Sequence, residues 1–328
     1  MMRSAGLAAS ALLLLAALPA SGAGQPSVPA PADRRAPLRE VNHLGVRAIV
    51  AHVRPTQSDL AAFQLVNRET GAVLRVYYEP TLRQLAAQHL PYLAWMIDEV
   101  ARRTQADAGQ VIWASVVFTT DPDYSPPRAG SDTRWTVLAT ADGQLSPRSE
   151  DMLFGVIPHE QVHAVQLSMQ PRLPRWFAEG QASWIGLQIS DRVRPAYAAS
   201  ERRKHAEAYE RIEGPLDLGA WGGVRPRREA IRRQVNPEDQ ARMDREPSFV
   251  PSGSFSFGPG DFEANEVDQT PRYAASLRLF EDMERQAGLE GMMQWQHAVW
   301  ANAGPPHTQR LVALAQEHLG RSIEDHLR

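Results

Sequence analysis

Two histidines lie four residues apart in an apolar stretch near the middle of the chain, in the segment PHEQVH at residues 158–163. On an α-helix, side chains four apart project from one face, so His159 and His163 can reach the same metal ion. A buried imidazole needs a polar partner, and a metal ion supplies one. The stretch therefore predicts a largely buried metal-binding helix. Because proline lacks a backbone N–H, Pro158 predicts that this helix begins or kinks there.

The residue after the first histidine is a carboxylate suited to acid–base chemistry. Glu160 lies about 100° round the helix from His159, toward the position that a substrate or water would occupy on the metal. There it can take a proton from a water activated by the metal and later pass it to a leaving amine. An ordinary amphipathic helix with exposed polar residues is the alternative, so the rest of the chain must decide.

A third ligand is expected in the segment PRWFAEGQASW at residues 174–184. Here Glu179 is a carboxylate on an otherwise apolar helix, with fifteen residues between it and His163. Gly180, Ala182 and Gly186 offer small surfaces where this second helix can approach the first. Two histidines and one glutamate form a ligand set of catalytic zinc sites. The alternative is a surface carboxylate with no ligand role.

These two segments together resemble the gluzincin metallopeptidases, the peptidase MA-like group, which pair HExxH with a downstream W-x-x-E-G-x-A. The letters WFAEGQA at residues 176–182 match the second motif. The resemblance, looser outside the motifs, runs from Val41 to the C-terminus. It implies a zincin-like fold, Zn²⁺ held by His159, His163 and Glu179, and Glu160 as the general base in peptide hydrolysis.

The family also usually places a tyrosine on a later helix, where its phenol stabilises the oxyanion of the tetrahedral intermediate. Tyr273, in PRYAASL at residues 271–277, stands at the corresponding place, so the resemblance implies a second catalytic residue there. A core tyrosine with a satisfied hydroxyl is the alternative. No acidic residue follows Glu179 closely enough to be an obvious hydrogen-bonding partner for a ligand histidine, so that partner stays unassigned.

Strand and helix patterns divide the chain into two halves. The β-forming runs are 46–53, 72–78, 111–119 and 135–140, with one amphipathic helix pattern at 81–104. Later helical patterns are 152–169, 174–189, 195–212 and 273–286. We expect an α+β fold, zincin-like by resemblance, as a single catalytic unit over 41–328. An N-terminal mixed sheet with a covering helix forms 41–148, and the active-site helix opens a mostly helical half at 149–328.

Two further expectations concern this unit. Residues 214–269 are rich in Gly, Pro, Arg and Ser, which predicts long loops around short helices. In the family, the edge strand above the HExxH helix pairs with extended substrate, and residues 135–140 stand at that place in the order of elements.

The N-terminus has the pattern of an export signal. Arg3 precedes an apolar run of about a dozen residues, too short to span a bilayer, and small residues lead to a predicted cut after Ala23. A retained membrane anchor is the alternative. Residues 1–23 are thus a predicted signal peptide and 24–40 a flexible linker. The chain has no cysteine, which excludes disulfides and Cys-bound zinc, and the expected location is periplasmic or secreted.

The formal net charge of −3 is too near neutral for a nucleic-acid-binding surface. The predicted function is an exported zinc metallopeptidase that acts on a peptide or protein, with no membrane span after signal cleavage. One alternative is a catalytically silent zincin-like scaffold that binds a protein or cell-envelope partner. Another is a metal-free protein in which the motifs are coincidental. Oligomeric state, endo- or exopeptidase action and cleavage preference stay open.

Overall fold

The part of the chain covered by the computed structural model is a set of ranges. They are 39–53, 60–124, 133–169, 173–214, 216–222, 224–246, 249, 251, 262–264, 269–301 and 307–327. The predicted signal peptide, 1–23, and nearly all of the predicted linker, 24–40, lie outside the described residues. Within those ranges, no helix is both long enough and apolar enough to cross a membrane.

A six-stranded mixed sheet begins the described chain, and its strands lie side by side in chain order. They are β1 (Arg39–His43), β2 (Val46–Val53), β3 (Ala61–Asn67), β4 (Val73–Tyr78), β5 (Ser115–Thr119) and β6 (Arg134–Leu138). The first four are antiparallel, whereas β5 is parallel to β4 and β6 is parallel to β5. A parallel step needs a crossover connection, and between β4 and β5 that crossover is a helix.

This crossover helix, α1 (Arg83–Thr104), covers the sheet as the sequence pattern predicts. Leu90, Leu93 and Ile97 are among its buried positions, and Pro91 lies inside it. The helix ends where Gln105 adopts a left-handed conformation and its N–H bonds the carbonyl of Ala101. The strands expected at 46–53 and 72–78 correspond to β2 and β4, while β1 and β3 were not predicted.

Helices form most of the remaining described chain. They are α2 (Pro147–Asp151), α3 (Ile157–Met169), α4 (Arg175–Val193), α5 (Pro195–Glu210), α6 (Arg228–Arg232), α7 (Pro237–Arg245), α8 (Gln269–Ala301) and α9 (Thr308–Leu319). Helix α8 is interrupted at Gly288, whose φ of 71° is left-handed. Within 214–269, the structure has α6, α7 and a two-stranded antiparallel sheet of β7 (Val224–Pro226) and β8 (Phe262–Ala264).

A π-helical turn, Met152–Val156, joins α2 to α3 directly before Pro158. Proline has no N–H to bond the carbonyl four residues earlier, which belongs to Phe154. The Ser190 hydroxyl on α4 lies 2.7 Å from that carbonyl and 2.8 Å from the Gly186 carbonyl, so its single hydrogen is shared between the two acceptors. The change from π to α geometry thus occurs where the sequence places a proline, and α4 supplies the missing donor.

Helices α3 and α4 approach closely at one glycine. A Cβ on Gly186 would lie 3.1 Å from the backbone nitrogen of His159, so a larger residue would push the helices apart. The expectation that Gly180 also faces α3 is wrong. A Cβ there would lie 2.7 Å from the ring of Phe280, because Gly180 sits on the side of α4 that packs against α8.

One continuous hydrophobic core joins the sheet to helices α1, α3, α4, α8 and α9. Leu65 of β3, Val162 of α3, Phe177 of α4 and Trp295 of α8 are fully or almost fully buried in it. Each such side chain contributes roughly 1.5–3 kcal/mol to stability through burial. Because α3 and α4 lie inside this core, the polar residues they carry are held by packing on several sides.

Candidate metal centre

Three potential ligands converge between α3 and α4. His159 Nε2 lies 3.0 Å from His163 Nε2, and Glu179 Oε2 lies 3.5 Å and 3.4 Å from these two nitrogens. Ligand atoms bound tetrahedrally at about 2.1 Å from zinc are about 3.4 Å apart, so this spacing suits such an ion. His159, His163 and Glu179 form a group that could hold a metal ion.

The two carboxylate oxygens of Glu179 face different partners. Oε2 faces the two histidines, while Oε1 lies 3.6 Å from Nε of Arg175, one helical turn earlier on α4. Burial opposes ionisation of Glu179, but the contacts with His159 and His163 outweigh it and hold its pKa well below the usual value. Glu179 is therefore a carboxylate at neutral pH, with one oxygen left for a metal.

Glu160 lies in the same cleft and is only 5% exposed. Burial is the main influence on its carboxyl group and raises the pKa, although the neighbouring His159 and His163 act in the opposite direction. A carboxylate with a raised pKa holds a proton more readily than an exposed glutamate does. This environment suits a group that accepts and then releases a proton.

His163, a candidate ligand, has a hydrogen-bonding partner that was left unassigned from the sequence. His163 Nδ1 lies 2.7 Å from Oε1 of Gln166, three residues later on α3. The i, i+3 spacing on a helix was the available signal for this contact, but the expected partner was an acidic residue.

Tyr273 faces the same cleft from the first half of α8. Its hydroxyl accepts a hydrogen bond from Arg175 Nη2 at 3.4 Å, and the Trp221 ring packs against the Tyr273 ring edge to face at 5.0 Å. Burial, followed by the charge of Glu179, raises the pKa of Tyr273 to about 12. The phenol is therefore protonated at neutral pH and can donate a hydrogen bond.

Arg175 and Trp221 were not predicted as site residues. The guanidinium of Arg175 lies over the Trp221 ring at 5.0 Å, a cation–π arrangement that fixes the side chain beside Glu179 and Tyr273. Trp221 comes from the loop-rich region 214–269, so part of that region contacts the site. The sequence signal was the i, i+4 spacing of Arg175 and Glu179 on a predicted helix.

Another part of the lining of the cleft, whose volume is about 400 Å³, comes from α5. Tyr197, Glu201 and His205, spaced by four residues along one face of that helix, line it together with Trp135 of β6. His205 was not predicted to belong to the site. Burial lowers the pKa of His205, so its ring is neutral at neutral pH.

All five residues predicted for the site thus line one cleft: His159, Glu160, His163, Glu179 and Tyr273. Strand β6, expected at 135–140 and found at 134–138, is the last strand in the sheet order and places Trp135 at the cleft. The structure therefore brings together residues that are up to 114 positions apart in the chain.

Comparison with known proteins gives a limited picture. No family model matches the chain, and a search of curated proteins finds no match. Among solved structures, the chain is similar to an M1 zinc metallopeptidase from Deinococcus radiodurans, with 13% identity and a TM-score of 0.43 over 90% of this chain and 58% of that one. A mutant of such an enzyme from that organism bound to a Tyr-Ser-Ala substrate gives 12% identity and a TM-score of 0.44, over 88% and 58%.

A two-domain M1 zinc metallopeptidase mutant bound to L-tryptophan gives 12% identity and a TM-score of 0.41, over 90% of this chain and 59% of that one. The chain therefore spans less than two thirds of the length of these structures. At such identities and TM-scores, the likeness concerns coarse architecture alone.

Proposed function

We propose that this chain is a zinc-dependent metallopeptidase of the gluzincin type, with His159, His163 and Glu179 as the metal ligands. One observation carries the proposal: these three side chains converge at ligand spacing beside a buried glutamate, within a single cleft. Two imidazoles and one carboxylate are a donor set that zinc prefers in catalytic sites.

Glu160 is the proposed general base of this site. When bound, zinc supplies a Lewis acid that polarises a carbonyl oxygen and makes water more acidic. A carboxylate oxygen of Glu160 takes the proton from the attacking water and delivers it to the leaving amine. Its raised pKa supports this role, because a general base works best when its pKa lies near the operating pH.

Tyr273 is the proposed stabiliser of negative charge on the substrate. Its phenol keeps its proton at neutral pH and points into the cleft, so it can donate to the carbonyl oxygen as that oxygen becomes anionic. Arg175 holds the Tyr273 hydroxyl at 3.4 Å and Glu179 at 3.6 Å. It therefore keeps the ligand and the phenol in a fixed relation.

The proposed substrate is an extended peptide or protein segment. Strand β6 lies at the end of the sheet order beside the cleft, and a peptide laid along it can form main-chain hydrogen bonds with little sequence preference. We place the protein in the periplasm or outside the cell, on the export-signal pattern of residues 1–23. Mass spectrometry of the mature chain tests this, with a new N-terminus at Gly24 expected.

Metal analysis of the purified protein tests the proposal directly. We expect about one zinc ion per chain, and loss of bound zinc in His159→Ala. His297→Ala is the control, because His297 is an exposed histidine on α8 away from the cleft. Chelation is expected to abolish hydrolysis of a peptide library, and added zinc to restore it.

Two results would contradict this proposal. If wild-type protein contained no stoichiometric zinc, the proposed metal site would be wrong. If it bound zinc but hydrolysed no peptide, the catalytically silent scaffold would be favoured.

A further inference from the structure

Three buried glutamines connect the candidate metal centre to the far side of the helical half. Gln166 is on α3, Gln181 on α4 and Gln296 on α8, and they are 4%, 0% and 0% exposed. Gln166 Nε2 donates to Gln181 Oε1 at 2.8 Å, and Gln181 Nε2 donates to Gln296 Oε1 at 2.6 Å. We call these three residues the amide relay.

The direction of the relay is fixed by backbone carbonyls, which can only accept hydrogen bonds. At the far end, Gln296 Nε2 donates to the carbonyl of Met292 at 3.1 Å, which leaves Gln296 Oε1 to face Gln181. At the near end, Gln166 Nε2 also donates to the carbonyl of Ala178 at 2.9 Å. Reversing any one amide would place two acceptors or two donors against each other.

Gln166, the member of the relay next to the metal centre, has one amide atom left to face His163. Both hydrogens of the Gln166 amide are used, one on Ala178 and one on Gln181. Only Oε1 remains for His163, and it lies 2.7 Å from Nδ1. Since an amide oxygen accepts, Nδ1 must carry a hydrogen.

We infer that the amide relay holds His163 in the Nδ1–H tautomer, so that the Nε2 lone pair faces the ligand site. Gln166 is thus a positioning residue for the metal ligand, and Gln181 and Gln296 fix its orientation in turn. A ligand histidine commonly donates its second ring N–H to an acceptor that sets its tautomer and aim. The metal-binding consequence rests on the proposed function, whereas the ring orientation does not.

Zinc affinity, measured by competition with a chromophoric chelator, tests the metal-binding consequence. We expect Gln166→Leu to weaken zinc binding about 10- to 100-fold. Gln296→Leu, at the far end, should weaken it about threefold, because Gln166 keeps its Ala178 anchor. Gln166→Glu retains an acceptor for Nδ1–H, so its affinity should stay within about threefold of wild type even where its melting temperature falls.

Gln161 provides a matched control. It lies on the same helix and is fully buried, but its amide bonds both backbone groups of Ala114, at 3.1 Å and 2.6 Å, and not a ligand. Gln161→Leu should lower stability without changing zinc affinity. If Gln166→Leu bound zinc as tightly as wild type, or if Gln166→Glu and Gln161→Leu lost affinity as much as Gln166→Leu, the positioning role would be overturned.

Nitrogen NMR of the histidine rings in the metal-free protein separates this inference from the proposed function. At a pH where the His163 ring is neutral, we expect Nδ1 to keep its hydrogen in wild type and to lose that preference in Gln166→Leu. A wild-type ring protonated on Nε2 instead would overturn the relay. Wild-type protein that binds no zinc yet shows Nδ1–H would contradict the metallopeptidase proposal while supporting the relay.

Discussion

The two walls of the cleft differ in how their polar side chains are held. On the ligand wall, formed by α3 and α4, neighbouring side chains contact two of the candidate ligands. The buried Gln166 lies 2.7 Å from His163, and the half-buried Arg175 lies 3.6 Å from Glu179. On the α5 wall, no hydrogen bond from a described residue holds the ring of His205 or the hydroxyl of Tyr197. Glu201 there pairs with the exposed Lys204.

The two sets of side chains are therefore suited to different tasks in a binding cleft. Groups that must keep a strict geometry need partners that lock their rotamers, and the ligand wall has them. Side chains without such partners can adjust to whatever enters. We therefore expect changes on the ligand side to alter metal binding and turnover, and changes on the α5 wall to alter substrate affinity.

Substitution of one glutamate in each wall gives the largest expected difference, which is a difference in kcat. Glu160→Gln should lower kcat by about 10²- to 10⁴-fold while zinc stays bound, because an amide cannot accept the proton from water. Glu201→Gln on the α5 wall should change kcat less than about threefold and act on KM instead. Steady-state kinetics on a cleaved peptide measure both. Equal losses of kcat would break the division between the walls.

A pair of tyrosines gives a smaller effect. Tyr273→Phe should lower kcat about 100-fold with unchanged zinc affinity, because one donor to the developing oxyanion is lost. Since the pKa of Tyr273 is about 12, the deficit should be constant below about pH 11, where the phenol stays protonated. Tyr197→Phe is the matched control and should leave kcat nearly unchanged. A Tyr273→Phe deficit that vanished below neutral pH would argue against the donor role.

The contribution of Ser190 to the ligand wall can be tested by measuring the free energy of unfolding. Ser190→Ala removes the hydroxyl that lies 2.7 Å from the Phe154 carbonyl and 2.8 Å from the Gly186 carbonyl, and it leaves the Phe154 carbonyl without this donor. We expect a loss of about 1–3 kcal/mol in the free energy of unfolding, measured by urea denaturation. Ser183→Ala, on the same helix, removes a hydroxyl that bonds no described residue and should change this free energy by less than about 0.5 kcal/mol. Equal effects would show that the π turn needs no such donor.

The smallest expected effect concerns the pH dependence of stability on the α5 wall. Burial lowers the pKa of His205, so the unfolded chain binds this proton more readily than the folded one as pH falls below about 6.5. Wild-type protein should therefore lose more stability than His205→Ala between about pH 7 and about pH 5. Denaturation of both proteins at several pH values measures this difference. A steeper slope in His205→Ala would contradict the burial of the ring.

Sequence reasoning predicted the elements that have local signals. The periodic apolar positions of α1 and the β-branched runs of β2 and β4 lie within single segments. Strand β3 was missed because its sequence, AAFQLVN, contains alanine, glutamine and asparagine, which are not strand formers. It is a strand because β2 and β4 pair with it on both sides.

In the candidate site, too, some residues have a local sequence signal and others are positioned by tertiary packing. His159, Glu160 and His163 could be predicted from helical spacing, and Glu179 from a polar residue in an apolar helix. The contact of Gln181 with Gln296 spans 115 positions and depends on how α4 packs on α8. Likewise, α5 was predicted as a helix, but which of its faces lines the cleft depends on tertiary packing.

The π-helical turn before α3 lets the chain length vary there by one residue. An α-helix turns about 100° per residue, and a π turn holds one residue more than an α turn. Deleting a single residue from Met152–Val156 would therefore convert the π turn into an α turn, and α3 would keep both histidines facing Glu179. The direction in which the two histidines face is therefore insensitive to the one extra residue that the π turn holds.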